Sequence, residues 1–183
     1  MNRTDLTRNV GLRSGNKLVS LAAAIIAVLA ALGTLFSHHR SIAALSAKNQ
    51  AILTQARASD TYNAYEAKQT RYNIYSALIA SDLVRGPQNR ARLESVADNE
   101  RSSSPAVLKK AQGLEKQAGR DDERSETFLK SYEILQFATT MFEISIVLVS
   151  ISALAGARLF LPLGCVLSSV GLVLFVAGLL QAR

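Results

Sequence analysis

Three stretches of this chain are too long and too apolar for ordinary amphipathic helices: residues 18–36 (LVSLAAAIIAVLAALGTLF), 137–157 (FATTMFEISIVLVSISALAGA) and 159–180 (LFLPLGCVLSSVGLVLFVAGLL). A single charge, Glu143, falls inside them. About 20 residues at a rise of 1.5 Å cross a hydrocarbon core of roughly 30 Å, so each run spans a bilayer as one helix. The overall 49% apolar and 19% charged content is ordinary; its segregation carries the information. A signal peptide is the rival reading of the first run. Its apolar stretch exceeds the roughly 7 to 15 residues of such a segment, and no small-x-small cleavage site follows, so it reads as a retained anchor.

The pattern predicts an all-α protein: three transmembrane helices, with a long antiparallel helical hairpin, a coiled-coil-like stalk, inserted between the first and second. The expected divisions are a basic tail (1–17), the first span (18–36), the stalk (37–136, tip near 85–104), the second span (137–157) and the third (159–180). The tail carries Arg3, Arg8, Arg13 and Lys17 against Asp5, part of a formal net charge of +7. It suits either contact with anionic headgroups or a solvated topology signal. With Arg158 it gathers five cations in about twenty residues, whereas Arg40, Lys48, Arg124, Lys130 and Arg183 on the other face are spread over a longer stretch, which favours a cytoplasmic N-terminus and a periplasmic or otherwise exoplasmic stalk. The one cysteine, Cys165, excludes an intrachain disulfide and a cysteine-based metal site.

From Ser41 to Leu83 there is no Gly or Pro, and Ala, Leu, Gln, Lys, Arg and Glu dominate. The first span therefore continues as one long helix, roughly 65 Å of it beyond the bilayer by the helical rise. Gly86-Pro87 ends it, and the charged stretch 85–104 reads as the tip, with room for a short helix over residues 90–97. A second stalk helix is expected from Ser104 as N-cap with Pro105 at its first position. In it Val107, Ala111, Leu114, Ala118, Asp121, Ser125, Phe128, Tyr132 and Leu135 follow at alternating spacings of four and three, a heptad seam running into the second span. Its polar centre predicts fraying or hydration near residues 119–126.

Four tyrosines, Tyr62, Tyr65, Tyr72 and Tyr75, fall on one side of the first stalk helix at about 100° per residue. They suit a partner-binding stripe, or packing against the second stalk helix or a neighbouring subunit. Nucleic acid is not an expected partner, since residues 37–136 hold 15 Lys/Arg against 12 Asp/Glu, too balanced for a phosphate-binding surface.

In lipid, small residues mark close helix approach. Ser20, Ala23, Ala27, Ala30 and Thr34 form such a seam in the first span, Thr139, Glu143, Ile146, Ser150, Ala153 and Ala157 line a face of the second, and Gly164, Ser168, Gly171 and Gly178 do so in the third, interrupted by Phe175. Glu143 is the intramembrane candidate for function, with His38 and His39 on the same side of the membrane. A Glu and His pair at a bundle mouth relays protons or binds metal. Adjacent histidines point to different helix faces, however, and three ligands are not in sight, so a structural Glu143 bonded to Thr34 or a histidine is the other reading.

The segment Ala58 to Tyr75, ASDTYNAYEAKQTRYNIY, resembles the pattern A-N-D-x-W-x-x-Y-Q-A-K-S-x-x-x-x-x-Y of a bacterial membrane family, domain-of-unknown-function family 4337. Ala58, Asp60, Tyr65, Ala67, Lys68 and Tyr75 match. Ser59, Tyr62, Glu66 and Gln69 replace its asparagine, tryptophan, glutamine and serine. One span before this segment and two after it agree with the family layout. The resemblance implies a bacterial inner-membrane protein and brings no activity or catalytic residue.

No phosphate loop, nucleophile elbow or zinc spacing occurs. The expected function is a non-enzymatic structural or interaction protein, without cofactor, partnered by the lipid bilayer and by further copies or other membrane subunits. The alternatives are an oligomeric ion or proton channel or transporter using Glu143, and a stalk that senses a ligand, disfavoured because only short tails and turns lie across the membrane to receive a signal.

Overall fold

The computed structural model describes residues 3–81, 83–155 and 159–181, with backbone alone for 3–18 and 155. Three helices account for nearly all of them: α1 (Arg3–Ala80), α2 (Pro87–Ala155) and α3 (Phe160–Leu180), with no strand among the described residues. Each contains a stretch long and apolar enough to cross a membrane. As expected, the first apolar run continues into the charged segment as one helix, and α2 runs unbroken into the second. The helical backbone also takes in the basic segment from Arg3; its side chains, and the turn expected at Arg158, lie outside the described residues.

The second helix differs from expectation. It begins at Pro87, not Ser104, and passes through Pro105. Gly86 has φ +89°, a left-handed conformation open to glycine, and Pro87 takes the first helical position where a missing N–H costs nothing. An interior proline costs about 3 kcal/mol, because it removes a hydrogen bond and crowds the preceding turn. Tertiary contact outweighs that cost here. Leu93, Ala97, Glu100 and Ser104 lie four, three and four apart and are wholly or partly buried, so the supposed tip has a face that packs. The Ser104 hydroxyl also donates to Glu100 O at 2.7 Å, binding the turn before the proline.

The chain divides into two compact units, Met1–Leu45 with Ser125–Arg183, and Ser46–Arg124. In the first, Ile26, Ala30, Leu135, Ala138, Phe142, Val149 and Phe175 form the core. Glycines set how close its helices come. A Cβ on Gly164 would lie 2.8 Å from Val149 Cγ2, one on Gly171 3.0 Å from the Phe142 ring, and one on Gly178 2.9 Å from Leu135 Cγ. Phe175 fills the space between, edge-on to both Phe36 and Phe142. Phe175, which interrupts the small-residue spacing in sequence, is buried within the glycine seam.

In the second unit α1 and α2 run antiparallel, since Lys48 pairs with Asp122, Tyr62 with Glu115 and Lys68 with Glu100. The residues buried between them are small. Ala51 and Ala58 lie seven apart on α1, and Ala97, Ser104, Ala111 and Ala118 recur every seven positions of α2; in the first unit Ala30, Ser37 and Ala44 keep the same period, and all are at most 8% exposed. A seven-residue period differs from the 3.6 residues of a helical turn by a small left-handed drift, so a repeat of this length holds one face toward its partner only if the helices supercoil. A buried methylene contributes roughly 0.8 kcal/mol, so such a seam gains its stability from length and close approach, not bulk.

Candidate interaction surface

All nine residues of the heptad seam in α2, from Val107 to Leu135, are buried or partly buried. The polar centre at Asp121 and Ser125 does not break the helix. Ser125 Oγ donates to Ala44 O at 2.9 Å, whereas Asp121 Oδ2 is buried without a hydrogen-bond partner among the described residues. Beside it, Lys48, Ile52, Gln55, Gly119 and Asp122 line an open groove of about 310 Å³.

Two rings of the tyrosine stripe, Tyr62 and Tyr72, contact the chain's own second helix. Tyr62, Tyr65, Tyr72 and Tyr75 are each partly buried. The Tyr62 hydroxyl donates to Glu115 Oε2 at 2.7 Å, and that bond, with lesser effects of burial and the carboxylate charge, raises its pKa. The Arg101 guanidinium stands 5.8 Å from the Tyr72 ring centre, a cation–π contact. Packing within the chain thus occupies at least these two rings.

The most developed polar cluster is one that sequence reasoning missed. Glu100, with its side chain one-tenth exposed, accepts from Lys68 Nζ at 2.9 Å and from Arg71 Nη1 at 3.0 Å. Lys68 also donates to Ser103 Oγ at 2.9 Å. The bond from Lys68 is the largest of the effects holding the Glu100 pKa below the usual carboxylate range, against the opposing effect of burial. Glu100 lies three residues after Ala97 and four before Ser104 on the buried face, which was the available signal; the charge around it hid the spacing. A carboxylate clamped by two cations fixes register, because a shift of either helix separates them.

In the apolar unit the predicted seams are partly realised. Gly164, Gly171 and Gly178 are buried and Ser168 is half-buried; Ala30 is buried and Ala23 half-buried; Ala27, Ser20 and Thr34 face outward. The side of α1 that packs carries Ile26, Ala30, Gly33 and Ser37, so Gly33, not Ala27, makes the close approach: a Cβ there would lie 2.5 Å from Thr139 Oγ1. On α2, Thr139 and Ile146 pack inward while Glu143, Ser150 and Ala153 face outward; Ala157 lies outside the described residues.

The structure does not bring Glu143 to His38 or His39. Ser37 Oγ donates to Gln136 Oε1 at 3.0 Å, and Gly33 abuts Thr139, which places the histidines level with residues 133–135 of α2. Glu143 lies roughly 14 Å further along by the helical rise. All three side chains are exposed. Thr34 donates to Ala30 O at 3.1 Å within its own helix, and no hydrogen bond joins it to Glu143 among the described residues. Among the described residues no group of three His, Cys, Asp or Glu could hold a metal ion.

Helices of this length and apolarity, with Leu154, Val173, Phe137 and Leu35 each more than 60% exposed, are compatible with a multi-pass membrane protein. The chain belongs to the family described as domain of unknown function (DUF4337), which matches it over residues 15–181. No curated protein and no solved structure matches it.

Proposed function

We propose that the chain is a non-enzymatic structural or interaction protein of the bacterial inner membrane, homo-oligomeric or an accessory subunit of a larger membrane complex. In this reading residues 37–136 stand outside the bilayer as an antiparallel coiled-coil stalk, with the N-terminus in the cytoplasm. The observation that carries it is the seven-residue repeat of buried small residues on α1 and α2, reinforced by the Glu100 clamp. Such a pair is stiff and fixed in register, the property of an arm that holds or reaches a partner.

Native mass spectrometry of the full chain released from native nanodiscs tests the proposal. A defined homo-oligomer or a stoichiometric membrane partner supports it; a lone monomer, with no cross-links in native membranes, overturns it. The second reading is an oligomeric ion or proton channel or transporter. The exposure of Glu143 on α2 favours it, because only a neighbouring chain can turn that carboxyl toward a water path. Ion or proton flux unchanged by Glu143→Gln removes that reading.

A further inference from the structure

Glu143 stands on the outward side of α2, and no hydrogen bond or ion pair joins it to any described residue. At about 100° per residue it shares a strip roughly 80° wide with Thr140, Val147 and Ser150. All four are exposed, while Phe142, Ser145 and Val149 on the opposite side are buried. By the helical rise Glu143 sits roughly 9 Å inside the apolar run from Phe137. A glutamate side chain, which reaches only about half that distance, cannot return its carboxyl to the headgroups as the longer lysine and arginine do. Facing lipid, an ionisable group this deep is expensive, and a second polar surface must cover it.

The chemistry of the strip says which surface fits. Thr140 Oγ1 donates its proton to Gln136 O at 3.0 Å, so what it offers outward is acceptor lone pairs. A neutral Glu143 carboxyl is a donor as well as an acceptor. Donor and acceptor lie one turn apart on the same face, so the strip is complementary to itself: across a two-fold axis along the membrane normal, each carboxyl can donate to the threonine oxygen of the other copy, and both bonds form together. Val147 and Ser150 continue the contact with a medium and a small side chain, which allow close approach.

We infer that the Thr140–Glu143–Ser150 strip of α2 is the surface through which two copies of this chain pair in the membrane. The inference rests on the oligomeric reading above and specifies its interface.

The test is single-cysteine cross-linking of the full chain in native membranes, in a Cys165→Ser background. Val147→Cys reports the strip, and Val28→Cys on α1 and Val173→Cys on α3 report the other outward faces; all three valines are 57–69% exposed. A dimeric adduct is expected from Val147→Cys alone. Its yield in dilution series should fall about tenfold in Glu143→Leu, drop in Thr140→Val, and persist in Glu143→Gln, which keeps a donor and an acceptor. These side chains face outward, so the fold does not depend on them. Adducts at Val28 or Val173 without one at Val147 overturn this surface but leave oligomerisation standing. Cross-linking of Val147→Cys to a chain of different mass overturns self-pairing, and an adduct indifferent to Glu143→Leu overturns the carboxyl's role. No adduct at any position, with a monomeric native mass, removes the interface and the oligomeric reading together.

Discussion

The Ser131 hydroxyl donates a hydrogen bond of 2.6 Å to the carbonyl of Gly178, joining α2 to α3 at a buried point where the glycine has no side chain to hold the helices apart. The same absence admits Leu135 and Ile134, whose side-chain carbons would lie 2.9 Å and 3.2 Å from a Cβ at that position. Close approach and hydrogen bond depend on each other: a methyl group that separates the helices also stretches the bond.

Gly178→Ala should therefore cost about 1–3 kcal/mol, the usual penalty for overpacking a filled site. Ser131→Ala, which removes the bond and leaves the approach intact, should cost about 0.6 kcal/mol, the average for such bonds between membrane helices. Steric-trap or SDS unfolding of the two variants in bicelles measures both; equal effects would show that the added methyl acts only through the lost hydrogen bond and that overpacking costs nothing here.

Gly33→Ala meets a single atom, Thr139 Oγ1, with the next nearest heavy atom at 3.5 Å. Destabilisation of about 1–3 kcal/mol is expected. Thr139→Ala removes the obstacle, so the double variant Gly33→Ala with Thr139→Ala should recover most of the loss. A double-mutant cycle that finds the two changes additive would place the strain elsewhere.

Gly113 and Gly119 are exposed within α2, and a Cβ on either meets nothing within 4 Å. Alanine at each position should stabilise by about 0.5–1 kcal/mol, through the lower entropy of the unfolded chain and the better helix propensity. Slower amide exchange across residues 109–124 is the readout. The sign is opposite to that at Gly178 and Gly33, so four glycine-to-alanine changes divide by location alone.

The Glu100 carboxylate is held below its ordinary pKa, foremost by the bond from Lys68. A lowered carboxylate pKa stabilises the folded state at pH above the unfolded value, and that contribution is lost as pH falls through the lower folded value. Amide protection around residues 97–104 should thus weaken on acidification below the usual glutamate range of about 4.3. Glu100→Gln should be less protected at neutral pH and nearly flat over the same acid interval. A wild-type profile parallel to that of Glu100→Gln would mean that the clamp contributes nothing.

Much of the architecture was legible from residue order. The apolar runs mark the three helices that can span, and the four-three spacing from Val107 to Leu135 marks a face that is wholly or partly buried. The start of α2 was not legible, because Pro105 and the serines before it carry the local signature of a helix beginning, while the face that packs through them, Leu93, Ala97, Glu100 and Ser104, depends on tertiary contact, Glu100 being bonded to residues about thirty positions away. Gly33 likewise reads as an ordinary small residue until Thr139 is placed against it.

What the sequence by itself determined is whatever depends on near neighbours: helix from composition and period, candidate spans from runs of apolar residues, and membership of a family from a pattern within one helix. What only the tertiary structure decided is which side of each helix turns inward. It set Gly33 inward and Ala27 outward, gave Glu100 its two cations, and separated Glu143 from His38 and His39. Facing is decided by the partner helix, through close approach at glycine and by hydrogen bonds across long sequence separations, and no local spacing encodes a partner.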